Sequence, residues 1–152
     1  MKINLLHFGS NSTDYQQIYQ HEINKIKQFK CDINIIKLVE SKEINLKKKK
    51  ENDTRVIIGK IPKNSEIIIF SERGENVDSI EFSKYLDKSN ITFVVGGAEG
   101  IDEDLIRKEK PISKFISFGR ITYNHKIFKL IVLEQIYRGL SIKNNRKYHR
   151  GD

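Results

Sequence analysis

The sequence predicts an α/β fold, a mostly parallel sheet covered by helices. Two patterns lead there. Short apolar runs alternate with stretches of helical periodicity. Several of the runs, such as Ile67-Ile68-Ile69-Phe70 and Ile91-Thr92-Phe93-Val94-Val95, are apolar on both faces. Strands buried on both sides belong to parallel sheets with helices on each face.

The elements follow in order. Ile3 to Phe8 reads as a strand that Gly9-Ser10 ends. Asp14 is the expected N-cap of a helix from Tyr15 to about Gln28, with Ile18, Glu22 and Ile26 on one face. Asp32 to Leu38 alternates as a second strand. Ser41 to Asp53, with Lys42 and the run Lys47-Lys48-Lys49-Lys50, reads either as a solvated loop or frayed helix start, or as an RNA-contacting edge. A second helix spans Thr54 to Ile61 and stops at Pro62. Ile67 to Phe70 is a strand, Ser79 to Leu86 a short amphipathic helix, Ile91 to Val95 a strand, and Phe115-Ile116 another. The last helix runs from about His125 to Leu140 and is apolar nearly all round, from Ile127 to Tyr137. Such a helix needs burial on more than one face. A homodimer interface is the expected second surface, and a central core helix in a monomer is the other solution.

The 152 residues fit a single domain, spanning 1–152. Mean hydropathy is -0.54. No apolar run reaches the roughly 18 residues of a membrane span, and the N-terminus is too short in apolar residues for a signal peptide. Cys31 is the single cysteine, so no internal disulfide forms. No His and carboxylate set has metal-ligand spacing, so no metal is expected. His7 and His21 read as structural. The expected compartment is the cytoplasm. Net charge is +8, and from Arg120 onward eight Lys or Arg stand against two acids. An excess of basic side chains favours a polyanion, because binding releases condensed counterions. Lysine enrichment by an AT-rich genome is the competing explanation.

Three apolar strands end in unusual loops: Ser71-Glu72-Arg73-Gly74-Glu75, Gly96-Gly97-Ala98-Glu99-Gly100, and Ser117-Phe118-Gly119-Arg120-Ile121-Thr122. Ligands of parallel sheets bind beyond the carboxyl ends of strands. The glycine loop matches neither a Walker loop nor the dinucleotide fingerprint. It suits a small ligand held by backbone groups, or simply a tight turn. In the tail, Tyr148 can stack on a base while Arg146 and Arg150 hold phosphates, or the tail is a disordered basic end.

Taken jointly, Val94-Val95-Gly96-Gly97-Ala98-Glu99-Gly100, Ser117 through His125, Glu134-Gln135-Ile136-Tyr137-Arg138, and Asn145-Arg146-Lys147-Tyr148-His149-Arg150 resemble the bacterial 23S ribosomal RNA (pseudouridine-N3)-methyltransferases of the SPOUT class. The resemblance covers essentially the whole chain. It implies an α/β fold with a deep C-terminal trefoil knot, a rare exception to the rule against knots. It also implies a homodimer that binds S-adenosylmethionine and methylates N3 of a pseudouridine in 23S rRNA, within the assembled ribosome. The cofactor positions it implies are Phe70, Gly96, Phe118, Gly119, Arg120, Ile121, Thr122 and Tyr123. Tyr148, His149 and Arg150, with Arg138, would act at the RNA side, the tail reaching the partner subunit's site. His149 is the candidate base, since an imidazole titrates near about 6.5, and Arg138 or Arg150 would stabilise charge on the imide. The chain departs from the family at Ala98 (usually Pro), Phe70-Ser71 (usually Leu-Asp) and Tyr123-Asn124 (often Leu-Pro). Two other readings stand beside this one: a non-catalytic RNA-binding or ribosome-assembly module with the same fold, and a SPOUT enzyme directed to transfer RNA.

Overall fold

A computed structural model describes residues 1–9 and 13–149. Five parallel strands form one sheet in the order β2-β1-β4-β3-β5. They are β1 (Lys2–Phe8), β2 (Asp32–Leu38), β3 (Glu66–Asn76), β4 (Asn90–Val95) and β5 (Lys114–Ser117). The helices are α1 (Thr13–Lys27), α2 (Leu46–Lys60), α3 (Ser79–Tyr85), α4 (Glu103–Glu109) and α5 (His125–Lys143). One face of the sheet carries α1, α3 and α5 over a core that includes Leu5, Phe82, Phe93 and Ile136. The other carries α2 and α4 over Leu6, Ile57, Ile69 and Ile106. Burial on both faces is what the continuous apolar runs demanded.

Several elements differ from the sequence expectation. The lysine run is neither loop nor frayed start. Asn45 caps α2 by accepting from Lys48 N at 3.1 Å, so the helix begins at Leu46 and the lysines form its first turns. A capping side chain outweighed the low helical signal of a segment with few core residues. Asp14 lies inside the first turn of α1 rather than at its cap. Ile18 is 46% exposed, and Tyr19 takes its place in the core beside Glu22 and Ile26. The short helix α4, capped by Asp102, had no sequence assignment. On α5, Val132, Leu133, Ile136 and Leu140 are buried, while Ile127 is 41% exposed and Leu130 and Ile131 are only half-buried.

His7 is buried, and its pKa falls to about 4, chiefly through desolvation and then through the nearby Lys129 charge. Its Nδ1 lies 3.3 Å from the Phe8 carbonyl and its Nε2 3.3 Å from Lys129 Nζ. A neutral ring with Nδ1–H donating to Phe8 and Nε2 accepting from Lys129 satisfies both contacts. It is a structural residue, as the sequence indicated.

Strand β3 continues past Phe70, with a register break, before pairing again at Glu75 and Asn76 with β5. Gly74 lies on this excursion, where a Cβ would stand 2.6 Å from the backbone of Phe115 and Ile116. The neighbour is main chain in a strand and cannot swing aside. Gly59, on α2, would place a Cβ in open space. Gly74→Ala should therefore cost about 1–3 kcal/mol in urea unfolding, the range of overpacking. Gly59→Ala should gain about 0.5–1 kcal/mol by removing backbone freedom from the unfolded chain.

Candidate functional site

The strand order puts the carboxyl ends of β4, β3 and β5 side by side, and a cavity of about 470 Å³ lies beyond them. That is the size of a small-molecule site. One wall is the glycine loop. Gly100 N donates to Gly97 O at 3.0 Å, closing a tight turn, and Gly100 has φ +78°. The loop is thus a tight turn that also lines the cavity. A Cβ on Gly96 would stand 2.8 Å from Cγ1 of the buried Ile101, so the chain turns here only without a side chain. Another wall is aromatic. The rings of Phe118 and Phe128 lie 4.9 and 5.3 Å from that of Phe70, both edge-on.

The rim is polar and mixed in charge, with Glu72, Glu99 and Glu103 beside Lys50 and Arg73. Thr122 Oγ1 donates to Glu72 at 2.8 Å, joining the loop after β5 to the extension of β3. Glu103 accepts from Ser71 Oγ at 2.7 Å and from Arg73 Nη2 at 3.0 Å. Burial alone would raise the Glu103 pKa, but the hydrogen bonds from Ser71 and Arg73 and the neighbouring guanidinium charges outweigh it and hold the pKa below its ordinary value. Ser71 is thus hydrogen-bonded to a carboxylate from α4.

The connection from β2 to α2 is fastened to the glycine loop. Glu40 Oε1 accepts from Ala98 N at 3.3 Å, and Lys49 bridges Glu40 and Asp53 at 3.4 and 2.9 Å. Asp53 also accepts from Ser41 N at 2.7 Å. Further along α2, Thr54 Oγ1 accepts from Asp102 N at 2.9 Å. Lys50 reaches the cavity wall.

A second group of candidate residues lies at the far end of α5. Asn145, with φ 54°, ends the helix. Asn145 N donates to Ile142 O at 3.2 Å and Arg146 N to Ser141 O at 2.9 Å. This paired cap turns the chain back along its own helix. The tail through His149 is therefore an anchored segment, not the disordered end that composition allowed. Tyr148 OH donates to Glu134 at 3.1 Å, and its ring meets Tyr137 edge-on at 4.6 Å. Burial and the Glu134 charge push the Tyr148 phenol up. Arg138 donates to Glu134 at 2.9 Å and approaches His149 Nδ1 at 3.2 Å. Sequence reasoning missed Lys25, whose Nζ lies 4.3 Å from the Tyr137 ring centroid and 3.0 Å from Glu22. Only the fold, which lays α1 along α5, brings it there.

Comparison with known proteins now identifies the architecture. The profile of a family described as "Predicted SPOUT methyltransferase" matches residues 1–149. The chain belongs to the SPOUT methyltransferase family. A protein named "Ribosomal RNA large subunit methyltransferase H" from Mesomycoplasma hyopneumoniae (strain J) is 55% identical over 152 residues, covering all of both chains. Proteins of the same name from Mycoplasmopsis synoviae and Mycoplasmopsis pulmonis are 40% and 39% identical, each over 99% of this chain and 100% of its own.

The SPOUT fold brings seven of the eight expected cofactor positions to the cavity: Phe70, Gly96, Phe118, Gly119, Ile121, Thr122 and Tyr123. Arg120 is exposed and does not line it, because Gly119, at φ 107°, turns the chain there. Arg138, Tyr148 and His149 are brought together, but apart from the cavity. Ten residues of α5 separate Phe128 from Arg138, a rise of about 15 Å. Arg150 lies outside the described residues. Among the described residues no group of three His, Cys, Asp or Glu could hold a metal ion, and no helix is long and apolar enough to cross a membrane.

The Glu103 shift gives a pH test. A carboxylate whose folded pKa is depressed stabilises the fold above its ordinary pKa, and that stability is lost as pH falls through the lowered value. Glu103→Gln should lower the thermal midpoint at neutral pH. The gap to the parent protein should narrow in acid, once the native carboxyl is itself protonated. A gap independent of pH would mean that the Ser71–Glu103–Arg73 contacts contribute nothing through charge.

Proposed function

We propose that this SPOUT protein transfers a methyl group from S-adenosylmethionine to N3 of a pseudouridine in 23S ribosomal RNA. The single observation that supports it most is the cavity built from the glycine turn, three phenylalanine rings and a polar rim. The cavity fits the cofactor. An adenine suits the aromatic wall, main-chain groups of the glycine turn suit its polar edge, and the mixed charges of the rim suit a zwitterionic amino-acid end. Phe70, Gly96 and the loop 118–123 would hold it. The names of the full-length relatives point to the ribosomal substrate.

The reading includes a homodimer, a C-terminal trefoil knot and action in the cytoplasm on the assembled ribosome. The half-buried apolar face of α5 and the exposed Ile18 of α1 support a second copy as their cover. The dimer also answers the separation of cavity and tail. About 15 Å of helix keeps Arg138 and His149 from their own chain's cavity, so they serve the partner's.

Bound S-adenosylmethionine supplies an electrophilic sulfonium methyl. The protein's own work is to orient the acceptor and to remove its proton, because an imide nitrogen is a poor nucleophile while protonated. With Arg138 donating to Nδ1, a neutral His149 carries its proton on Nε2. It becomes a base when Arg138 releases Nδ1. Arg138 or Arg150 would then stabilise the negative charge that develops on the imide oxygen as Nδ1 takes the N3 proton. Tyr148 fixes this geometry through Glu134, which also holds Arg138.

Two outcomes are expected. Calorimetry should show micromolar binding of S-adenosylmethionine, abolished by Gly96→Val and weakened by the milder Thr122→Ala. No binding to a well-folded dimer would favour the non-catalytic module instead. His149→Ala should bind the cofactor normally and slow single-turnover methylation by roughly 10²–10⁴-fold, the worth of a positioned acid or base. A near-normal rate would remove His149 from the role of base.

A further inference from the structure

The functional reading leaves the lysines of α2 unused. In α2 a cluster of four lysines opens the helix, with no acid in the first turn. This charge opposes the helix dipole, whose positive end lies there. Among the described residues Lys49 alone of the four is paired, with Glu40 and Asp53. Lys42, Lys47 and Lys48 are exposed, and among the described residues none has a carboxylate at ion-pair distance.

Their placement relative to the cavity is fixed. Lys47, Lys50 and Thr54 follow one another at helical spacing, so they share a stripe of α2. Thr54 is bonded to Asp102, just beyond the glycine turn, and Lys50 lines the cavity. Lys47 continues that stripe outward past the rim. Glu40, holding Ala98 N, ties the preceding segment to the same turn. Lys47 is therefore tied to the place where methyl transfer would occur, with Lys48 next to it on the same helical turn and Lys42 in the segment before the helix.

We propose that Lys42, Lys47 and Lys48 form a docking surface for the phosphate backbone of the ribosomal RNA that carries the target base, beside the cofactor cavity. This rests on the function proposed above. A polyanion is the occupant that charge complementarity selects, since a phosphate here relieves both lysine repulsion and the unfavourable dipole. The face positions RNA and reads no sequence.

The test compares two triple variants, using ribosomes from a strain lacking this protein. One is Lys42→Gln, Lys47→Gln, Lys48→Gln. The control is Lys63→Gln, Lys84→Gln, Lys88→Gln, three exposed lysines at the amino edge of the sheet. Cofactor binding by calorimetry should be unchanged in both. The α2 variant should raise KM for ribosomes with kcat held, and should flatten the slope of log affinity against log salt by roughly two to three units. The control should leave both unchanged. An α2 variant with the parent's slope and KM would overturn the proposal while the functional reading stood. Equal losses in both triples would reduce the effect to net charge and overturn it too. A changed oligomeric state with an unchanged slope would assign the face to a protein partner instead. A parent protein that methylates no ribosomes would sink the functional reading and this proposal together.

Discussion

The site depends on where β4 ends. This strand lies between β1 and β3, with Ile91 to Val95 buried on both faces. Backbone pairing on either side and apolar packing above and below leave it no freedom of register. Its carboxyl end then has to turn at Gly96-Gly97, directly over the core. The turn is possible because no side chain competes with Ile101 or Glu40 for the space. Every other part of the cavity is placed relative to that fixed edge.

The helices do two different jobs around it. Those on one face supply hydrophobic walls, with Phe128 of α5 and Phe118 after β5 closing on Phe70. Those on the other supply polar fastening, through Thr54 to Asp102 and Glu103 to Ser71 and Arg73. Helix α5 links the cavity to the tail cluster, because Phe128 and Arg138 are rigidly spaced on one rod. A rod of that length keeps the cavity and the tail cluster apart within one chain.

Much of this was legible in the sequence. Continuous apolar runs located the strands, since two-sided burial leaves a strong signal at a period of one. The glycine turn and its companion positions came from motif resemblance, and the fold gathers all of them but Arg120 at one cavity. What was not legible is long-range. Glu103 stands 32 residues from Ser71 in the chain, and only the fold brings the two together. Lys25 reaches Tyr137 because α1 packs on α5. The start of α2 was hidden for a different reason: a lysine run has no apolar periodicity, and Asn45 alone marks the cap. The tail was misread from composition because its order comes from a helix cap and one tyrosine, not from apolar content.

The central claim is that this fold delivers a methyl group to a ribosomal pseudouridine. Mass mapping of 23S rRNA from a strain lacking the protein tests it most directly. The account predicts that one pseudouridine loses one methyl group and regains it when the parent chain is restored. An unchanged set of methylated pseudouridines in the deletion strain would contradict it.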